Sequence, residues 1–524
     1  MSFLKKMRSG MPAVTSLLLV LFSALLLAAA FPGFEFPVLA WIALIPLLAA
    51  VDCERKSRTA PFLMGWLFGT VFFFLTCWWL TFAPIRYAGF PVVPTYLLLI
   101  VVSACAGVFA GFFGLVYGVL RNRIGRVAIL AAPFVWEAFE FLRYWLTGNN
   151  WNALGYSQAF EPSLIQNASI GGVYLTGFTI FFLNAAFFFA FAVIRSGKGS
   201  GGRSRTGEFL MAGGLFAATL AAVVIPALVT GPTPGIHAAD IVAIQPDVPM
   251  DGLDFERWRE LRTTQEQMAE GELRRRPDKS VPVLVVLPES PMNYQYGSDA
   301  EFRDFIDKFA KRNSAAVLFN SAEVDPSRER GFFNSAVMVS ANGEKVAQYD
   351  KIHLLPFGEF VPLPEFAQEL IPPMVGRFSQ GNEYDLLEVG GAKAGVMICF
   401  ESHFPSLSGE YARRGAGFLI EMTNDGYLGN TPVLRQHLAN AVFRAVETRL
   451  PLMRVTNVGI TAKIDGRGRI SDEQKPFVEA VRTWSVEPKE GGLTFYSVAG
   501  DWFAVLCCFI TGLLLLISVR RRKT

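Results

Sequence analysis

The chain has 524 residues, 52% hydrophobic and 18% charged, with 48 Lys+Arg against 45 Asp+Glu for a net charge of +3. Soluble chains carry about 25% charged residues, so this composition excludes disorder and collagen-like repeats and speaks against a wholly soluble enzyme. The near-neutral balance gives no sign of a nucleic-acid partner, and six Cys are too few for a disulfide scaffold.

Charge-free stretches at 11–31, 36–51, 61–82, 94–119, 170–194, 209–228 and 502–519 read as membrane spans, each near the ~20 residues that cross a ~30 Å hydrocarbon core. A further stretch, 127–146, carries Glu137, Glu140 and Arg143 and is counted as well, which makes eight. Those charges fit a helix whose outer half reaches the interface, with Glu140 and Arg143 paired at i, i+3; a role in a functional site is the other reading. The first stretch has a basic start like a signal peptide, but its apolar run is too long and the next span follows at once, so a retained helix is expected.

Loop charges test this count. Lys5, Lys6 and Arg8 precede the first span, Arg55, Lys56 and Arg58 follow the second, and Arg121, Arg123 and Arg126 follow the fourth. Arg195, Lys198, Arg203 and Arg205 follow the sixth, and Arg520, Arg521, Arg522 and Lys523 end the chain. The opposite loops hold Arg86 and Arg143. Positive charge stays inside, which places both termini in the cytoplasm. The Gly/Ser/Arg stretch 196–207 reads as a flexible cytoplasmic loop.

The expected organisation is therefore a membrane domain at 1–230, an extracytoplasmic domain at 231–500, and an eighth span with a basic tail at 501–524. Within the middle part, apolar runs at 241–244, 283–287, 317–320, 336–339, 395–398, 418–422, 452–455 and 493–496 alternate with helical patterns at 255–272, 301–312, 406–413 and 432–449. Buried strands alternating with helices predict an α/β layered domain, with functional residues just past strand ends.

Cys399 stands alone in that domain, because Cys53, Cys77, Cys105, Cys507 and Cys508 lie in or beside spans. A lone thiol in an oxidising compartment is either buried or used. It ends the run Gly395-Val-Met-Ile and precedes Phe400-Glu401-Ser402, a strand end that favours use. A thiol nucleophile needs a base and a positive group for the oxyanion. His237, His353, His403 and His437 leave a Cys–His pair open. Glu289, among apolar and proline residues in Val285-Val-Leu-Pro-Glu-Ser-Pro, is a candidate base whose burial would raise its pKa. Lys351 heads the loop Tyr349-Asp-Lys-Ile-His-Leu-Leu-Pro-Phe-Gly-Glu359. Taken singly, Glu289 reads better as a solvated strand end and Lys351 better as a surface charge.

Glu289, Lys351 and Cys399 in that order resemble the Glu-Lys-Cys pattern of the nitrilase (carbon–nitrogen hydrolase) superfamily. The flanking residues Pro288-Glu289-Ser290, Tyr349 through Pro362, Ile398-Cys399-Phe-Glu401-Ser402, Thr423-Asn424-Asp425, Gln436-His437, Arg444-Ala-x-Glu447 and Arg454-x-Thr-Asn457-x-Gly459 narrow the resemblance to the apolipoprotein N-acyltransferase family. Glu140-Phe-Leu-Arg143 and Gly155-Tyr-Ser-Gln158 in the membrane part fit too, so the likeness covers nearly the whole chain. It departs at Asn149-Asn150, at Gln245-Pro246-Asp247, at Phe400 and at Tyr427-Leu428.

The resemblance implies a four-layer α-β-β-α sandwich standing on the membrane. It also implies ping-pong acyl transfer: Glu289 as base, Cys399 as nucleophile and Lys351 at the oxyanion, with a phospholipid as acyl donor and a diacylglyceryl-apolipoprotein as acceptor. Glu359 and Glu401 match residues that support the site or hold the fold. Trp151 reads as a lipid contact or as part of the aromatic belt. No cofactor is implied, and the four His show no metal-ligand spacing. The expected location is a bacterial inner membrane with the catalytic domain on the periplasmic side. Two other functions use the same features: a membrane-tethered amidase with this triad, and a transporter or receptor with an external binding domain.

Overall fold

The computed structural model describes residues 12–196, 205–229, 233–328, 331–356, 358–360 and 378–520. Lys5, Lys6, Arg8, Lys198, Arg203, Arg521, Arg522 and Lys523 of the charge reading lie outside the described residues, as do Phe357, Val361 and Pro362 of the loop motif. The described residues fall into two compact units. One comprises those before Gly231 together with Thr431–Ala439 and those from Ala499 on; the other comprises Gly231–Asn430 and Asn440–Val498.

The first unit is helical: α1 (Val14–Ala30), α2 (Ile45–Glu54), α3 (Ala60–Thr76), α4 (Val92–Ile124), α5 (Ala128–Thr147), α6 (Ala168–Ser196) and α7 (Arg205–Val229). Glycines with positive φ end two of them: Gly125 (φ 68) follows α4, and Gly148 (φ 64) returns its N–H to Tyr144 O at the end of α5. Helices α3 and α4 pack through small residues. A Cβ on Gly65 would stand 2.0 Å from Ala110 O, and one on Gly114 would stand 2.2 Å from Pro61 O, so only glycine allows this approach. The far side of α4 exposes Val93, Leu97, Leu98 and Val101, an apolar face suited to lipid.

Among the described residues, four helical stretches are long and apolar enough to cross a membrane: Pro37–Glu54, Val92–Thr147, Ala168–Arg195 and Thr206–Leu228. Ala60–Thr76 with Trp78–Arg86, bent by 62°, adds a fifth, and Val14–Ala30 and Trp502–Ser518 are shorter apolar helices. The stretch Val92–Thr147 contains both α4 and α5, which pack against each other.

One expectation is corrected in α5. Glu140 and Arg143 are buried instead of reaching the interface, and they attract each other while their hydrogen bonds go to the backbone. Glu140 accepts the Leu154 N–H at 3.0 Å, and Arg143 Nη1 donates to Asn149 O at 3.0 Å with its guanidinium 5.0 Å from the Phe73 ring centre. The loop after α5 has backbone groups with no helical partner, and in apolar surroundings these take the charges first. Both side chains line a narrow groove walled by Phe68, Phe72, Phe109 and Phe113.

The second unit carries two large sheets, besides a two-stranded pairing of Thr233–Pro234 with Lys489–Glu490. The first is built from β1 (Ala239–Gln245), β2 (Val283–Val286), β3 (Ala316–Asp325), β4 (Gly331–Val339) and β5 (Lys345–Asp350), the second around β6 (Leu386–Val389), β7 (Ala392–Ile398), β8 (Phe418–Thr423), β9 (Leu452–Thr456), β10 (Ala462–Ile464) and β11 (Ile470–Ser471). A further strand, β12 (Ala480–Val486), returns to pair antiparallel with β1. Each sheet has a parallel centre, β1-β2-β3 in one and β7-β8-β9 in the other. Helices α8 (Phe255–Arg275), α9 (Ala300–Asn313), α10 (Pro405–Arg413) and α11 (Val433–Thr448) make the crossovers, as parallel pairing requires.

Side-chain alternation explains the core. Val242, Ile244, Val283, Val285, Val317 and Phe319 face Leu261 and Leu273 of α8 and Phe302, Ile306 and Phe309 of α9 in one cluster. The intervening Ile241, Ala243, Leu284, Val286 and Leu318 are buried as well. Burial on both faces is why these strands read as unbroken apolar runs. Asp299 starts α9 by accepting the Glu301 and Phe302 N–H groups.

The run 493–496, expected as a strand, is instead the entry to a helical turn at Phe495–Ala499, where Thr494 Oγ1 accepts the Ser497 N–H. A hydroxyl cap outweighs a short apolar run. The last helix, α12 (Trp502–Arg520), belongs to the first unit.

Candidate active site

Three strand ends converge. Glu289 lies three residues beyond β2, Lys351 directly follows β5, and Cys399 directly follows β7. Cys399 has φ 53, a left-handed backbone, and opens a tight turn at Cys399–His403. That turn lifts the thiol out of the sheet.

Lys351 is 1% exposed. Its Nζ donates to Glu359 Oε1 at 2.9 Å and lies 3.9 Å from Glu289 Oε1. Glu359 also accepts from Leu355 N at 2.7 Å and from Asn334 Nδ2 at 2.6 Å. The same Asn334 amide donates to Glu289 Oε1 at 3.0 Å, and the Asn424 N–H donates to Glu289 Oε2 at 3.2 Å. A lysine, two carboxylates and one amide thus form a closed network, with the Cys399 thiol hydrogen-bonded to Glu289.

The electrostatics follow from this packing. Burial pushes the Glu289 carboxyl above the usual range, and Glu359 adds to this, while Lys351 and the hydrogen bonds of Asn334 and Cys399 pull it back. Burial also raises the Cys399 thiol, joined by Glu289 and opposed by Lys351. Burial would discharge Lys351, but Glu359 and Glu289 outweigh it and keep the ammonium charged. A raised carboxyl beside a raised thiol is a pair between which a proton can move.

Glu401 is fully buried and holds two loops together. Its Oε1 accepts from Tyr349 Oη, Ile352 N and His353 N, and its Oε2 from Ile398 N. Burial pushes its pKa up to about 7, against the Lys351 charge and these donors. One carboxylate therefore ties the residues flanking Lys351 to the strand that ends at Cys399. Two histidines make an aromatic wall: His353 stacks on Phe404 at 3.9 Å and His403 on Phe400 at 5.0 Å.

Trp151 belongs to the other unit. Its indole N–H donates to Gln436 Oε1 at 2.8 Å, as does that of Trp79 at 3.0 Å, and Gln436 Nε2 donates to Thr76 O. Asn334 escaped the sequence reading. It lies on β4, of which only 336–339 shows as an apolar run, so the sequence carries no signal for it.

Comparison with known proteins now separates the alternatives. The family model for the apolipoprotein N-acyltransferase N-terminal domain matches residues 23–186, and that for carbon-nitrogen hydrolases matches 278–491. An apolipoprotein N-acyltransferase of Geobacter metallireducens is 30% identical over 97% of this chain and 96% of its own length. The chain belongs to the apolipoprotein N-acyltransferase family. Another member, from Treponema denticola, is 29% identical over 94% of both chains. Among solved structures, an amidase from Nesterenkonia sp. AN1 aligns with 53% of this chain and 98% of its own, at a TM-score of 0.37 and 18% identity. As a family member the chain is an acyltransferase of lipoprotein maturation, with a nitrilase-like α/β unit and apolar membrane helices.

Proposed function

We propose that this acyltransferase moves a fatty acyl chain from a membrane phospholipid, through a thioester on Cys399, to the α-amine of the N-terminal diacylglyceryl-cysteine of apolipoproteins. The observation that carries the reading is the Glu289–Lys351–Cys399 network at three strand ends.

In the first half-reaction Glu289 takes the thiol proton and sulfur attacks the ester carbonyl. The ammonium of Lys351 stabilises the tetrahedral oxyanion. The C–O bond breaks, the proton passes from Glu289 to the departing glycerol oxygen, and lysophospholipid leaves. In the second, the amine attacks the thioester, the C–N bond forms, the C–S bond breaks, and the amine proton returns through Glu289 to sulfur. Glu359 holds Lys351 and Glu401 holds both flanking loops. Trp151, buried against Trp79 and bound to Gln436, serves the packing of the helical unit instead of a lipid contact.

The finer architecture follows the same reading: eight spans, a catalytic domain near 231–500 as a four-layer sandwich, and residues 1–230 and 501–524 in the membrane. The basic loops put the catalytic domain on the periplasmic side of the inner membrane. Donor and acceptor both carry chains whose exposure to water costs about 0.8 kcal/mol per CH₂, which a membrane base avoids.

Intact-mass spectrometry after incubation with phospholipid tests the scheme. One acyl adduct on Cys399 with release of lysophospholipid, before any acceptor is added, is expected; Cys399→Ser should give neither. Lysophospholipid appearing only with acceptor present would replace double displacement by direct transfer.

A further inference from the structure

Behind the triad, the end of β8 holds a buried charge cluster. Glu421 on β8 is in register with Arg454 on β9, and both are fully buried. Arg454 Nη1 lies 2.5 Å from Glu421 Oε1, and Nη2 donates to Asp425 Oδ2 at 2.8 Å. Asp425 fits only beside a glycine, since a Cβ on Gly459 would stand 2.3 Å from its Oδ2. Thr423 Oγ1 donates to Asp425 Oδ1 at 3.3 Å.

Asn424 sits between these anchored residues. Its side-chain oxygen accepts from Gly426 N at 3.1 Å and from Asn457 Nδ2 at 3.2 Å, while Asn457 N donates to Thr423 O. Its own N–H is the one that reaches Glu289 Oε2. The turn that presents this donor is therefore fixed from behind by a guanidinium.

We infer that Arg454 is a positioning residue for acyl transfer, acting through Asp425: it fixes the turn whose Asn424 N–H holds Glu289, and it cancels the Asp425 charge beside Cys399. This rests on the triad reading above. Without Arg454, the Glu421 and Asp425 carboxylates would lose the guanidinium that pairs with both, and Asp425 would oppose the thiolate. Electrostatics agree in sign. Burial and Glu289 raise the Cys399 thiol, Lys351 lowers it, and Asp425 raises it again. Other charged or titratable groups on the elements packed here are Glu401 and His403 on the Cys399 turn, Glu421 on β8 and Arg454 on β9, while Glu359 and Glu401 act on Lys351 and Tyr349 binds Glu401.

A structural ion pair and a positioning one differ in what they do to the thiol. The test uses the full-length protein in detergent, with iodoacetamide as probe, and follows carboxamidomethylation of the Cys399 peptide as a function of pH. Asp425→Asn should move the apparent midpoint down by about 1 pH unit, and Arg454→Gln should move it up by about 1. The double variant should return it close to the wild-type value, and Arg454→Lys should leave it there. Single variants that shift the midpoint in the same direction, or not at all, would overturn the inference and leave a purely structural pair. Should Arg454→Gln fail to fold, Asp425→Asn and Arg454→Lys decide alone: an unmoved midpoint in the first, or an upward shift in the second, refutes it. A Cys399→Ala control keeps the two readings apart. If that variant still transfers acyl chains, the triad reading falls; if it is dead and only the midpoints disagree, Arg454 alone is misassigned.

Discussion

Replacing Lys351 by methionine should damage stability and chemistry together, and the two can be separated. The ammonium is 1% exposed and stands between Glu359 and Glu289. Methionine fills the stem but leaves the Glu289 and Glu359 carboxylates with neutral donors in place of the ammonium: the amide of Asn334, which they share, and the N–H groups of Asn424 and Leu355. Removing one partner of a buried ionic group costs about 3–5 kcal/mol. At about 2–4 °C per kcal/mol for a domain of this size, the unfolding temperature should fall by about 10 °C. Acid should repair part of this loss, because the two carboxyls then share a proton; the deficit at pH 5 should be smaller than at pH 8. Adding Glu359→Gln removes one of the orphaned charges and should recover most of the stability while acyl loading stays absent. Differential scanning fluorimetry in detergent at both pH values, beside intact-mass measurement of the Cys399 adduct, reads both quantities. A Lys351→Met protein with wild-type unfolding temperature at pH 8 would refute the electrostatic account, and normal acyl loading would refute the role assigned to the ammonium.

Glu401→Gln keeps the shape but turns an acceptor of four donors into a group with one acceptor oxygen; acyl loading should fall about 10²-fold, at about 1.4 kcal/mol per tenfold, as single-turnover kinetics would show. Burial lowers the His353 pKa to about 4, so its contribution to stability is complete above pH 6.5 and is lost as pH falls toward 4, by about 3 kcal/mol. The drop in unfolding temperature between pH 7.5 and 4.5 should therefore be smaller in His353→Phe than in the wild type. Gly114→Leu would force α3 and α4 apart at Pro61 O and should lower detergent thermostability by the cost of overpacking, about 1–3 kcal/mol or more; an unchanged melting curve would contradict the packing.

The parts of the fold read correctly from sequence are those where burial dictates composition. Strands β1, β2 and β7 are buried on both faces along nearly their whole length and show as apolar runs, and the ends of β2 and β7 mark where Glu289 and Cys399 emerge. Strand β5, Lys345–Asp350, was invisible because it is an edge strand with a half-exposed, mixed sequence. Yet Lys351 follows it and could be singled out by its loop chemistry. Asn334 could not, since nothing in Phe333-Asn-Ser335 says that two carboxylates from distant segments will meet that amide. The Glu140–Arg143 spacing is an incomplete guide for a related reason: i, i+3 counting sees side chains only, whereas Leu154 N and Asn149 O take the hydrogen bonds. Periodicity reports which face is buried, and it is silent about what a buried polar group will find there.

The left-handed backbone at Cys399 sets stability against reactivity at one position. A residue with a Cβ held at φ 53 gives up about 1–2 kcal/mol that glycine would not. The better fold at residue 399 is thus a chain with no sulfur. Selection for durability alone would drift there and produce a sturdier protein that acylates nothing.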